Sequence, residues 1–156
     1  MHIILSKAQI GDSAVIAEIY ISSRKKFLPY APSAHSEADM RDYIRRLVSD
    51  GGVTIAKEGE IILGFIAVAS NDDCGEIDQL YLHPNYVGLG IGTQLLNHAK
   101  AVLGGCIKLY TFQQNTAARR FYERNGFVAI MLTDGSTNEE KCPDVLYEWR
   151  RNGMVG

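Results

Sequence analysis

The sequence predicts a mixed, mostly antiparallel seven-stranded sheet with helices on both faces, a fold of the α/β (α+β) class. Two observations lead to it. Two runs rich in β-branched residues, at 53–57 and 61–70, are followed by a third predicted strand at 74–83, with short polar turns between them, as in an antiparallel meander. An apolar stripe at helical spacing over Gly90–Leu103 then precedes a fourth run, Ile107–Phe112, so the third and fourth runs are predicted to be parallel strands joined by a crossover helix.

The remaining elements follow in order along the chain. Strands are predicted at residues 2–7, 53–57, 61–70, 74–83, 107–112, 127–133 and 145–150, and helices start at 12 or 13, at 36, at 90 and at 115 or 116. Ser36 with Asp39 resembles a capping box, and Pro29 with Pro32 favours a loop before it. Glycines at 51–52, 104–105 and 126 mark the helix ends.

The length and composition of the chain limit the number of domains and the classes of partner that it can have. The chain has 156 residues, of which 46% are hydrophobic, so a single domain over 1–156 can bury its own core. A formal charge of −2 argues against nucleic acid as a partner. No apolar run approaches the ~20 residues of a bilayer span, so no membrane partner is expected. Met1–Ser6 has no basic start and is too short for a signal peptide.

The cysteines are Cys74, Cys106 and Cys142, an odd number without metal-ligand spacing. We therefore expect reduced thiols, no disulfide and no metal site, as is typical of a cytoplasmic protein.

The most informative segment is the glycine cluster Gly88-Leu89-Gly90-Ile91-Gly92, where a strand passes into a helix. Glycine lets the backbone approach a ligand, and the first turn of a helix offers unpaired N–H groups, so the segment suits a phosphate or pyrophosphate. The alternatives are a tight turn with a packing role only, or a dinucleotide site. Thr93, where that motif needs glycine, disfavours the second, and a Walker A loop is excluded because no Gly-Lys-Ser/Thr follows.

With its flanks, this segment resembles the pyrophosphate loop of the GNAT family of N-acetyltransferases. The resemblance includes Leu80-Tyr81-Leu82-His83-Pro84 before the loop and the segment Asn115–Phe127, which contains Phe121-Tyr122 and Gly126-Phe127. Val87 departs from the pattern, which usually has Gln or Arg there. The resemblance implies a GNAT-like acyl-CoA N-acyltransferase fold, acetyl-CoA as co-substrate and an amine acceptor.

The resemblance also implies the cofactor-binding residues. They are Leu80, Tyr81, Leu82, Val87, Gly88, Leu89, Gly90, Ile91, Gly92, Thr93, Asn115, Ala118, Phe121 and Tyr122. Backbone N–H groups of 88–93 hold the phosphates, the main chain of 80–82 follows the pantetheine arm, and Asn115 is a cofactor contact as well as a helix cap. The N–H of Leu80 is the candidate to polarise the thioester carbonyl.

Tyr122 is the predicted general acid, because a neutral phenol can donate to a departing thiolate. Glu76 is the expected general base from the resemblance, with Asp78 two residues along and His83 as alternatives; a bulge would decide which carboxylate faces the cleft. Tyr110 occupies the position at which the ribosomal-protein acetyltransferases resembled by this chain carry Glu, which argues against that subgroup.

The acceptor is expected between the loops Arg24–His35 and Thr133–Asp144. Four acidic residues there either attract a cationic amine or form a solvated loop: Asp134, Glu139, Glu140 and Asp144. Arg24, Lys25 and Lys26 are either acceptor contacts or an exposed helix end. The leading hypothesis is an acetyl-CoA-dependent N-acetyltransferase for a small amine or a peptide; the rivals are a non-catalytic acyl-CoA-binding module and a nicotinamide-dependent oxidoreductase. Family members are often dimers, so a second copy is an expected partner.

Overall fold

A computed structural model describes residues 1–71 and 73–153. Its strands are β1 (Ile4–Lys7), β2 (Val53–Glu58), β3 (Ile61–Ala69), β4 (Gly75–Leu82), β5 (Cys106–Phe112), β6 (Val128–Leu132) and β7 (Asp144–Arg150). Its α-helices are α1 (Ser13–Phe27), α2 (Glu37–Asp50), α3 (Ile91–Val102) and α4 (Thr116–Arg124), with short 3₁₀ turns at Ile10–Asp12 and Pro84–Tyr86.

The strands form one seven-stranded sheet in the order β1-β2-β3-β4-β5-β7-β6. Every neighbouring pair is antiparallel except β4–β5, which is parallel and is connected through α3. The predicted fold class, including the parallel pair at its centre, is confirmed. Strand β6 lies at an edge of the sheet, far from the β1 edge.

The local signals for the helix ends act as the sequence predicts. The side chain of Ser36 accepts a hydrogen bond from the backbone N–H of Asp39 at 3.1 Å and caps α2. Gly51 ends that helix with a φ of +91°, a conformation that glycine adopts without the strain of a Cβ. Asn115 caps α4 by accepting from the N–H of Ala118 at 3.1 Å.

Two clusters of buried side chains form the core, one on each face of the sheet. Ile16, Ile19 and Ile44 of α1 and α2 pack with Phe65 on one face. Leu95, Leu96 and Tyr122 of α3 and α4 pack on the other face, with Ile107 and Tyr147 of the sheet. Because apolar side chains are removed from water on both faces, the central strands are held between two helical layers. Within the described ranges, no helix combines the length and apolar character needed to cross a bilayer.

The cysteine prediction is wrong for two of the three thiols. Cys74 and Cys106 form a disulfide with a Cα–Cα separation of 4.7 Å, while Cys142 is free and buried. The two residues are 32 positions apart in sequence, and the crossover through α3 brings the starts of β4 and β5 side by side. Sequence spacing alone does not reveal this contact.

Candidate active site

A large cleft opens where the two parallel strands part. The β4–β5 ladder contains only the pairs Gly75–Ile107 and Glu76–Lys108, although both strands continue beyond them. The cleft has a volume of about 1500 Å³ and is lined by residues 77–82 of β4 and 109–112 of β5. Strand edges that no longer pair with each other keep N–H and C=O groups for a ligand.

The glycine cluster forms one wall of this cleft. Gly88 and Gly90 have φ values of +78° and +82°, and a Cβ on either would point into open space. Gly90 is the N-cap of α3 and supplies no side-chain cap, so the first turn of the helix presents its N–H groups without a side chain bound to them. Both glycines line the cleft, and this arrangement is suited to an anionic group.

Most of the predicted cofactor-binding residues lie together in the cleft lining. These are Leu80, Tyr81, Leu82, Val87, Gly88, Gly90, Gly92, Thr93, Asn115, Ala118, Phe121 and Tyr122. Leu89 and Ile91 do not belong to the lining: the side chain of Leu89 is exposed, and that of Ile91 is fully buried in the core. For these two residues only the predicted role of the backbone N–H can apply.

Tyr122 lies at the cleft with its ring packed in the core. It is 8% exposed and contacts Phe121, Phe127 and Tyr147 through ring centroids 5.2, 5.6 and 6.1 Å away. Its hydroxyl makes no hydrogen bond with the described part of the chain. Burial, with a smaller contribution from Tyr81, raises the pKa of the Tyr122 phenol, so the group stays protonated at neutral pH. A protonated, unpartnered hydroxyl can donate to a ligand.

Helix α4 is held in register by two hydrogen bonds to the hydroxyl of Tyr147 on β7. Glu123 accepts a hydrogen bond of 2.6 Å from the hydroxyl of Tyr147, and the Nε of Arg119 donates to the same hydroxyl at 3.0 Å. Since both residues come from α4 and Tyr147 comes from β7, these bonds fix the rotation of the helix and therefore the direction of Tyr122.

A β-bulge separates the two candidate carboxylates. The β3–β4 register passes from Ala67–Gln79 to Val68–Ile77, which leaves Asp78 as the extra residue of β4. Asp78 lines the cleft, whereas Glu76 is exposed outside the cleft lining and accepts a hydrogen bond of 2.9 Å from Asn71. The structure therefore does not place Glu76, the expected base, in the lining of the cleft that contains Tyr122.

Asp78 has the electrostatic character of a base. Desolvation and, second, the charge of Glu76 raise the pKa of Asp78, although its side chain is exposed to the cleft. His83, the other alternative, is outside the cleft lining; its Nδ1 accepts from the N–H of Asn85 at 3.1 Å, which is a structural role.

A buried arginine lies at the far end of the cleft, where sequence reasoning left an exposed helix end as one alternative. The side chain of Arg24 is only 10% exposed; one nitrogen donates to the hydroxyl of Tyr81 at 3.1 Å, and the other pairs with Glu140 at 3.4 Å. Its neighbour Lys25 instead forms an exposed ion pair with Glu37. The three-residue basic run gave no signal that distinguished these environments.

The acidic loop after β6 is already engaged with the protein. Glu139 pairs with His35 at 2.9 Å, Glu140 pairs with Arg24, and Asp134 accepts from the N–H of Ser136 at 2.9 Å. Asp144 is buried and accepts hydrogen bonds from Thr133 and Asn138. Two of these contacts join the loop to the segment 24–35, so the loop closes one end of the cleft.

Comparison with known proteins agrees with this geometry. Residues 16–127 match the model of the acetyltransferase (GNAT) family, which is most of the chain, and the chain belongs to that family. An uncharacterized N-acetyltransferase of Archaeoglobus fulgidus is 28% identical over 132 residues, covering 76% of this chain and 88% of that protein.

Two further proteins are similar in part of the sequence or in fold. A spermidine N(1)-acetyltransferase of Thermoplasma acidophilum is 35% identical over 79 residues, covering 48% of this chain and 48% of that protein. The crystal structure of PaiA N-acetyltransferase from Thermoplasma acidophilum in complex with coenzyme A has a TM-score of 0.73 at 23% identity and covers 96% of this chain and 99% of that chain. The latter likeness shows the fold.

Proposed function

We propose that the chain is an N-acetyltransferase that transfers the acetyl group of acetyl-CoA to a primary amine of a small molecule or peptide by direct attack. The observation that carries the proposal is the cleft between β4 and β5, which has the glycine loop in its wall and the unpartnered hydroxyl of Tyr122 in its lining. The family membership and the coenzyme A complex of the fold relative support the choice of donor.

The donor is held by the main chain. The N–H groups of residues 88–93 bind the pyrophosphate, because they lie in a glycine-rich turn and the first turn of α3. Pantetheine amides pair with the free edge of Leu80–Leu82, where β4 has left β5. The N–H of Leu80 is the donor proposed for the thioester carbonyl, whose oxygen gains charge as the amine attacks. Asn115 contacts the cofactor while it caps α4.

Tyr122 donates to the departing sulfur. A thiol has an ordinary pKa near 8.5 and a phenol near 10. Because burial raises the pKa of Tyr122 further, complete proton transfer to the thiolate is uphill. The hydroxyl therefore first stabilises the thiolate through a hydrogen bond, and the proton follows as coenzyme A leaves. A donor of this kind contributes about 10²–10⁴-fold in rate.

Asp78 takes the proton of the attacking amine, directly or through a water molecule. Its position in the bulge, its exposure to the cleft and its raised pKa support this role over that of Glu76. The amine binds near the end of the cleft that Arg24 and residues 133–144 close, where Tyr20, Tyr43 and Tyr81 also line the cleft.

The experiment is an acetylation assay with a panel of acceptors. The purified chain is incubated with acetyl-CoA and polyamines, amino-acid amides or peptides with free N-termini; polyamines are included because one relative is a spermidine acetyltransferase. Mass spectrometry then measures the acetylated acceptor. The proposal expects at least one acceptor to gain a single acetyl group. Binding of acetyl-CoA without any acetylated product across the panel instead supports the non-catalytic module, and no binding contradicts both.

A further inference from the structure

The disulfide lies at the closed end of the strand pair that forms the cleft. Cys74 and Cys106 immediately precede the two β4–β5 residue pairs, and the cleft begins beyond those pairs. Their Cα–Cα separation of 4.7 Å is within the range that a disulfide accepts. The bond therefore adds a covalent link where the hydrogen-bonded ladder is only two pairs long.

The loop closed by this bond is the unit to which the phosphate site has been assigned. Between Cys74 and Cys106 the chain forms β4, the glycine cluster and α3. Linking the two ends of this unit restricts how far β4 can move relative to β5. The disulfide thus links the two strands that form the walls of the cleft.

A carboxylate accompanies the sulfur pair. The Oε1 of Glu148 lies 4.0 Å from the Sγ of Cys106, and Glu148 is 3% exposed. The same Oε1 lies 3.9 Å from the Nζ of Lys108, and the Oε2 of Glu148 lies 3.3 Å from the Nε of Arg150. When the pair is reduced, the thiol of Cys106 can donate to this oxygen, so a proton acceptor is already present beside the nucleophile.

We propose that Cys74 and Cys106 form a reversible dithiol–disulfide site that reacts with low-molecular-weight disulfides and whose oxidised state favours cofactor binding. One cysteine thiolate attacks the external disulfide, forms a mixed disulfide and releases one small thiol. The second cysteine thiolate then attacks the protein sulfur of that mixed disulfide, forms the Cys74–Cys106 bond and releases the second small thiol. Two electrons pass to the external disulfide, and the two protons of the cysteines end on the released thiols.

The effect of the Cys74–Cys106 redox state on cofactor binding rests on the proposed function, in which acetyl-CoA binds in the cleft. In the reduced protein the two-pair ladder and the shared core packing of Ile77 and Ile107 hold β4 beside β5 without a covalent link, so the geometry of the cleft is less restricted before the cofactor binds. A site that is preorganised binds with a smaller loss of conformational freedom. We therefore expect the oxidised protein to bind acetyl-CoA more tightly. Because both cysteines are only 6% exposed, exchange is slow and is measured at equilibrium.

The test uses the full chain with Cys142→Ala, which leaves only this pair. The protein is equilibrated in glutathione buffers of graded redox ratio, and its free thiols are counted by alkylation and mass spectrometry. Acetyl-CoA affinity is then measured by calorimetry in each state. We expect two thiols to disappear together and the dissociation constant to fall about fivefold or more on oxidation. A chain that also carries Cys74→Ala and Cys106→Ala should show no redox dependence.

Other results overturn the inference. Thiols that stay reduced in fully oxidised glutathione exclude the redox site, and equal acetyl-CoA affinity in both states excludes the coupling. One equivalent of zinc that is lost on Cys106→Ala makes the group a metal site, since Cys74, Cys106 and Glu148 offer ligand atoms within 4.8 Å of one another. Failure of acetyl-CoA to bind in either state rejects the proposed function and the coupling, while the thiol count still decides the redox site.

Discussion

The guanidinium of Arg24 donates to the hydroxyl of Tyr81 at 3.1 Å and thereby joins the last turns of α1 to β4. The same group pairs with Glu140 of the loop between β6 and β7. Three segments that are distant in sequence therefore meet at one largely buried charge. We infer that this contact sets the shape of the acceptor end of the cleft.

Breaking the Arg24–Glu140 pair should show strong coupling between the two residues. A double-mutant cycle with Arg24→Met and Glu140→Gln, followed by denaturant unfolding, should give an interaction free energy of about 1–3 kcal/mol, because neither charge is well hydrated in the folded state. The control cycle is Lys25→Met with Glu37→Gln, on the next residue of the same helix. That pair is exposed and screened by water, so its coupling should be clearly weaker than that of the Arg24–Glu140 pair. Equal coupling in the two cycles would contradict the role given to Arg24.

Tyr122→Phe should abolish most of the turnover and leave the cofactor site intact. The substitution removes only the hydroxyl, so the core contacts of the ring remain, and kcat should fall by about 10²-fold or more. The dissociation constant of acetyl-CoA should change little. Tyr86→Phe, outside the cleft lining, is the matched control and should keep its turnover.

The pH profile offers a second check on Tyr122. Because burial raises its pKa, the phenol remains protonated as the pH rises toward 10, and kcat should show no descending limb below that pH. The raised pKa of Tyr122 also makes folding stability depend on pH. The unfolded phenol ionises near pH 10 while the folded one does not, so its contribution to folding stability is lost as the pH rises above that value. A descending limb near pH 8 that disappears in Tyr122→Phe would refute this assignment.

The two carboxylates of β4 should differ in their effect on the reaction. Asp78→Asn should lower kcat/KM by about 10²-fold at pH values above the pKa of Asp78 and below that of the amine, where the carboxylate is ionised and the amine still carries its proton. Glu76→Gln should lower it much less. It removes a charge that raises the pKa of Asp78, so any ascending limb that belongs to Asp78 should move to lower pH. If Glu76→Gln is the more damaging substitution, the base has been assigned to the wrong residue.

Gly90→Ala should weaken acetyl-CoA binding. A Cβ at this position would point into the open space of the cleft, and the positive φ opposes any side chain. Gly104→Ala serves as the control, since its φ of +84° and open surroundings are alike but it lies outside the cleft lining. Calorimetry should show a loss of affinity of about tenfold for Gly90→Ala beyond any loss for Gly104→Ala. Similar affinities would remove the glycine loop from the binding site.

The exposed edge strand β6 is the place at which we propose that two copies of the chain associate. All five of its residues are exposed and apolar, and edge strands with unpaired backbone groups are prone to pairing. Val128→Lys should shift sedimentation toward the monomer. Ile4→Lys, on the opposite edge strand, is the control, because Ile4 is 56% exposed and Val128 is 49% exposed. Sedimentation as a monomer by the unaltered chain would reject this interface.

The regular parts of the fold and the glycine-rich turn before α3 could be predicted from the sequence because their signals are local. The spacing of apolar residues identifies a helix or a strand within a short segment. Helix caps such as Asn115 and the alternating glycines at 88–92 likewise affect only the backbone a few residues away. Tyr122 was identified through the resemblance of the segment Asn115–Phe127 to the family pattern. Its register in the cleft needs only that α4 keeps its apolar face inward.

The features that the sequence left open or missed depend on register between distant segments. Strand alternation placed Glu76 and Asp78 on one face, and only the bulge against Ala67 and Val68 separates them. The Cys74–Cys106 bond depends on the offset between two strands joined by a long crossover. The burial of Arg24 depends on where the loop after β6 packs. None of these relations has a signal within a short window of sequence.

The most direct test of the central claim is an NMR titration with acetyl-CoA that follows backbone amides. If the cofactor lies between β4 and β5 with its pyrophosphate on the glycine loop, the largest shifts fall on residues 88–93 and 80–82, with saturation at one equivalent. Saturable shifts confined to another face of the sheet, or no shifts at all at millimolar cofactor, would contradict the account.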